Sequence, residues 1–126
     1  MKYLLISFII LNYVGRSFAQ VWVGDVDINQ EKNVQIIEVM VAERLSGKSV
    51  HVFVDYGQKT NFKVRNLETN EKALQIVDSE TKKEKLFTST AALLNFLESH
   101  GWAHYDTAIN RNDGRSDFLY YFRRKE

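Results

Sequence analysis

The sequence predicts an α+β domain: a single antiparallel sheet with one helix packed on one face, in the order β-β-(β-β)-α-β-β. Three observations predict it. Residues 88–102 combine helical periodicity with a capping residue at each end, and the segments around them either alternate with period two or run apolar on both faces. Each segment is closed by turn-forming residues rather than by a linker, and there is no internal repeat or low-complexity tract. The 126 residues divide into a leader, residues 1–19, an N-terminal arm or edge strand, residues 20–33, and one α+β domain, residues 34–126.

The helix is the element the others are arranged around. Thr88 or Ser89 supplies the side-chain oxygen that satisfies an orphan N–H of the first turn. Leu93, Leu94 and Leu97 then share one face, and burying them at ~1.5 to 3 kcal/mol each is what holds a helix too short to persist alone in water. With His100 as C-cap, Gly101 takes the left-handed position that ends the helix, and Trp102 folds back onto Leu97 and opens a strand. Gly101, Trp102 and Leu97 are therefore structural residues.

Residues 34–45 are apolar on both faces, with Ile37, Val39 and Val41 on one and Ile36, Met40 and Ala42 on the other. A strand of that kind belongs inside a sheet. After the turn at Ser46-Gly47-Lys48, Val50, Val52 and Val54 alternate with His51, Phe53 and Asp55, completing a hairpin. The arm before them, with Val21, Val23, Val26 and Ile28, slips phase at Gly24 and reads as a short edge strand or a loose arm. Residues 57–70 read as a long connection with Phe62, Val64 and Leu67 as isolated anchors. Residues 74–78 and 84–87 read as two short strands around a solvated, lysine-bearing turn. Beyond the helix come a strand from Trp102 to Ile109, a turn containing Asp113-Gly114, and a closing strand from Asp117 to Arg124.

Lys2, a short apolar run, and small residues at Ser17 and Ala19 make residues 1–19 a secretory signal peptide, with the mature chain starting at Gln20 in the periplasm or outside the cell. The run is shorter than the ~20 residues of a membrane span, so the exported chain is not an integral membrane protein. The 17 basic residues include Lys2 and Arg16 of the leader, which leaves 15 against 16 acidic. Nothing of the basic stripe of a nucleic-acid binder survives. The chain has no Cys, hence no disulfide framework and no lipid attachment site after the apolar run.

The chemical motifs are weak. Gly47-Lys48-Ser49 matches the end of a phosphate-binding loop, but Ala42 stands where that loop needs Gly and a strand follows in place of a helix. Around Asp113-Gly114 a calcium loop would need oxygen ligands at Ile109 and Arg111. His100 and His104 are separated by a helix-breaking glycine, while His104 and Asp106 share a strand face without a third ligand. No catalytic residue, metal ligand or cofactor is assigned.

The closing strand is bulky on both faces, and alternation gives Phe118, Tyr120 and Phe122 to the core and Leu119, Tyr121 and Arg123 to the outside. Tyr121 and Arg123 are the candidate binding residues, because Tyr and Arg dominate interface energetics.

Val52-Phe53-Val54-Asp55-Tyr56-Gly57-Gln58, Ile76-Val77-Asp78, Phe87-x-Ser89, residues 92–97, Gly101-Trp102 and the aromatic closing strand ending Arg123-Arg124-Lys125 resemble small exported bacterial proteins of unknown function. The likeness covers residues 39–125 and implies a fold and an export route, with no activity to carry over. The expectation is a non-catalytic binding or envelope-associated module whose partner is a protein or envelope component. The alternative is a small hydrolase or metal-dependent enzyme centred on His104 and Asp106.

Overall fold

The computed structural model describes residues 19–44, 46–58, 72–112 and 115–126; for residues 110, 112, 115 and 116 the description is of the backbone alone. The expected signal peptide up to residue 18, most of the long connection with Phe62, Val64 and Leu67, and the expected Asp113-Gly114 turn lie outside the described residues.

The strands form two antiparallel sheets, which corrects the expectation of one. In chain order the elements are β1 (Trp22–Val23), β2 (Val26–Asp27), β3 (Ile36–Glu43), β4 (Val50–Asp55), a 3-10 turn (Lys72–Leu74), β5 (Ile76–Val77), α1 (Thr90–Ser99), β6 (Trp102–Asn112) and β7 (Arg115–Arg124). The small sheet runs β2-β1-β5 and the large one β4-β3-β7-β6. The division is made at Gly24, where the phase slip is a tight hairpin turn with φ +59° and the Gly24 N–H donates to the Gln75 carbonyl at 2.9 Å. That bond steers the arm onto β5, pairing Trp22 with Val77 and Val23 with Ile76, instead of onto the large sheet. A Cβ on Gly24 would stand 3.0 Å from the Ala73 Cα, so glycine is also required by the close approach of the two backbones.

Both sheets contribute to one core. Val21, Val23 and Ile28 of the arm are fully buried beside Ile37, Val39 and Phe122 of the large sheet and Leu93 and Leu97 of the helix. Strand β3 is central, between β4 and β7, and is covered on both sides over its middle. Its outer-face Met40 is buried with Phe53 and with Leu74, which the 3-10 turn lays over the sheet. Residues 84–87 form only isolated bridges, Val77 to Glu84 and Val50 to Phe87, in place of a strand. In the charged turn before them Lys82 lays its ammonium 3.5 Å over the Trp22 ring, so one of those lysines has a partner.

The helix is capped at both ends. Ser89 is the N-cap, its hydroxyl accepting from the Ala92 N–H at 3.1 Å. At the other end the His100 N–H closes on the Leu97 carbonyl and Gly101 sits at φ +95°. Leu93 and Leu97 are fully buried while Leu94 is half-buried, so two leucines anchor the helix.

Candidate functional site

The two candidate binding residues lie on the outer face of the large sheet, at the end that the 3-10 turn leaves open. Register fixes the arrangement: Arg123 is opposite Ile36 and Tyr121 opposite Glu38 on β3, while Tyr121 faces Asp106 on β6. A β-bulge between His104 and Asp106 inserts Tyr105 into the same patch. The Tyr105 and Tyr121 rings are 6.4 Å apart and tilted by 48°, and the Arg123 guanidinium lies 5.2 Å from the Tyr105 ring. Ile36 and Tyr105 are about half exposed, at 47% and 48%, and Arg123 is exposed. Beside them on the same face the half-buried Leu119 packs on Met40, Phe53 and Leu74, so the open patch adjoins a covered one.

Tyr121 is held in place by its own chemistry. Its hydroxyl is hydrogen-bonded to the Glu38 carboxylate, and that bond, with burial and the nearby negative charge of Glu38 and Asp106, raises its pKa above the ordinary phenol value. The phenol stays protonated at neutral pH. The arrangement gathers two tyrosine rings, one guanidinium, an aliphatic side chain and two carboxylates on one face of the sheet.

The bulge also separates the pair at the centre of the enzymatic alternative. With one extra residue inserted, His104 falls opposite Phe122 and Asp106 opposite Tyr121, so they lie on opposite faces of the sheet, and the expectation that they share one is corrected. The His104 Nε2 pairs with the Thr107 hydroxyl at 2.8 Å, its ring meets Phe122 edge-on at 5.5 Å, and its backbone N–H donates to Glu98. The Asp106 carboxylate accepts from the Thr107 N–H. Among the described residues no group of three or more His, Asp or Glu could hold a metal ion.

Leu97, Gly101 and Trp102 come together at the helix C-terminus as a structural unit, and two residues to which the sequence reading gave no part in it complete it. The Trp102 indole N–H donates to Asn29 Oδ1 at 2.7 Å, and the Asn29 amide donates to the His100 carbonyl at 2.9 Å and to the Ala19 carbonyl at 2.7 Å. Arg124, directly opposite Trp102, lies 4.8 Å over the indole and donates to three carbonyls of the arm and to that of Val34 just after it. The cross-strand register of the final hairpin is the sequence signal that points to Arg124; for Asn29 there is none, because its partners are distant in sequence.

No family model matches the chain, and no curated protein or solved structure does. Among the described residues no helix is long and apolar enough to cross a membrane.

Proposed function

We propose that the chain is an exported, non-catalytic binding module of the periplasm or cell exterior, and that Tyr121, Arg123, Tyr105 and Ile36 form its recognition surface for a protein or envelope component. The observation that carries this reading is the Tyr–Tyr–Arg cluster with its exposed isoleucine, set on one sheet face beside buried side chains. Tyr and Arg are the residues in which interface energy concentrates. The export route rests on the leader sequence and on the resemblance to small exported bacterial proteins.

The test compares immobilised wild-type protein with Tyr121→Ala and Arg123→Ala variants in capture from an envelope extract, alongside thermal melts. Both variants are expected to fold, with Tyr121→Ala losing about 1 kcal/mol for its one hydrogen bond, and both to lose the partner that wild type retains. Phe122→Ala, on the fully buried face of the same strand, is expected to cost ~3 to 5 kcal/mol instead. Equal capture by wild type and both variants would overturn the assignment.

A further inference from the structure

The register of the large sheet lines up one row of side chains across all four strands. Asp55 of β4 is opposite Glu38 of β3, Glu38 is opposite Tyr121 of β7, and Tyr121 is opposite Asp106 of β6. Residues directly opposite share a face, so this row sets three carboxylates and one phenol on the outer face. At ~4.8 Å per strand, Asp55 and Glu38 are neighbours, while Glu38 and Asp106 stand ~10 Å apart with Tyr121 between them. The charges of Glu38 and Asp106 both act on the Tyr121 hydroxyl, as their shared face requires. Among the described residues the ion pairs are Arg44 with Glu84 and Lys125 with Glu98, so none of the three carboxylates is in one. Like charges directly opposite, as Asp55 and Glu38 are, destabilise a sheet. The adjoining row on one side is apolar, with Phe53, Met40 and Leu119. The row on the other side holds Ile36 and Arg123, whose guanidinium lies over the Tyr105 ring.

Resting on the reading of the Tyr121 face as a recognition surface, we propose that its partner is a basic polypeptide segment with lysine or arginine side chains at two or more positions. Charge complementarity selects it. Three carboxylates against one guanidinium attract cations and repel the phosphates of nucleic acid and of anionic lipid. The ~10 Å between the strands of Glu38 and Asp106 suits two side chains of one segment rather than a single ion. Among the described residues, moreover, no three of His, Asp and Glu converge to hold a metal. Long basic side chains lay their methylene stems along Ile36 and the tyrosine rings while their heads meet the carboxylates, contacts that a hydrated ion does not make. Arg123 is left to donate to backbone carbonyls of the same segment.

Titrating isotope-labelled protein at low salt with a synthetic peptide that alternates lysine and serine tests this through amide shifts. In wild type the shifts are expected at Asp55, Glu38, Tyr121 and Asp106, to fade as salt is raised, and to be absent with a peptide alternating glutamate and serine. Glu38→Gln combined with Asp106→Asn keeps both shapes and is expected to bind about tenfold more weakly, the loss of two exposed ion pairs. Asp25→Asn combined with Glu80→Gln, which neutralises two exposed acids of other segments, is expected to bind like wild type. The wild-type shift map stands if the first double variant does not fold. Equal binding by the two double variants, shifts scattered over the surface, or equal binding of magnesium or spermidine at the same amides each overturns the basic segment. Capture from the envelope extract separates this from the reading beneath it. If Tyr121→Ala loses the partner while Glu38→Gln with Asp106→Asn retains it, the recognition surface stands and the basic partner falls; if Tyr121→Ala and Arg123→Ala both retain it, the surface itself falls.

Discussion

Replacing Arg124 by Lys keeps the charge and removes the fork, and this single change should show how the N-terminal arm is held. The guanidinium donates to the carbonyls of Val34 at 2.9 Å, Asn29 at 3.2 Å, Ile28 at 2.9 Å and Glu31 at 2.8 Å, and covers the Trp102 indole. Only the Glu31 bond is exposed enough for water to replace it freely. The three part-buried bonds contribute roughly 1 to 1.5 kcal/mol each, near the low end for a charged donor because they are partly wet. An ammonium reaches one of them, so the lysine variant loses two bonds and most of the stacking, or ~3 kcal/mol. Arg124→Met loses all three and is expected to cost ~4 kcal/mol. Against a total stability of ~5 to 15 kcal/mol these are large effects. In urea, with a slope of ~1 to 3 kcal/mol/M, the lysine variant should unfold ~1 to 3 M earlier than wild type. Exchange at the Ile28 amide, which donates to Val21 at 2.9 Å, should accelerate before the large sheet opens. A lysine variant within ~0.5 kcal/mol of wild type would refute the clamp.

Two glycine substitutions should differ in cost. Gly101→Ala meets no atom within 4 Å and pays only for its φ of +95°, ~1 to 2 kcal/mol, whereas Gly24→Ala adds contact with the Ala73 backbone and is expected to lose more than Gly101→Ala in the same denaturant melt. Ultraviolet titration of the tyrosines should show Tyr121 ionising above the ordinary phenol range of ~10, because its bond to Glu38, then burial, favours the protonated form. The stabilisation it gives is complete below the unfolded pKa and is lost as pH rises through the raised folded value. Glu38→Gln removes the carboxylate that the phenol donates to and should move this titration back toward ~10; an unchanged curve would show that Glu38 does not raise it.

What the sequence disclosed is what is encoded locally. Ser89, Gly101 and Trp102 act within one or two helical turns, so capping chemistry named the helix ends, and the apolar doubling of β3 marked it as an inner strand because burial on two faces leaves a one-dimensional trace. Partner choice leaves no such trace. A two-residue strand at Trp22–Val23 carries too little pattern to say which edge it joins, and the Gly24 bond to Gln75 that decides it spans some fifty positions. Tyr105 gave no sign of a bulge, so strict alternation put His104 and Asp106 on one face. The face assignment of Tyr121 and Arg123 could be read because β7 runs without a register shift against β3, while Arg124 read only as the end of the closing strand until the hairpin register placed it over Trp102.

The position of β3 sets the order in which this protein can come into being. Its two neighbours are β4, a few residues downstream, and β7, the last strand of the chain; Val39 pairs with Tyr120, about 80 positions later. The first hairpin can form early, but half of its central strand's ladder, and the Phe122 side chain that completes the core, arrive only with the final residues. Closing so long a loop costs entropy before any contact returns it, so native structure waits for the C-terminus and folding is governed by a late, non-local step. A chain emerging N-terminus first therefore lacks the second half of the β3 ladder until residues 115–124 have followed, and for that interval one edge of its central strand stands open.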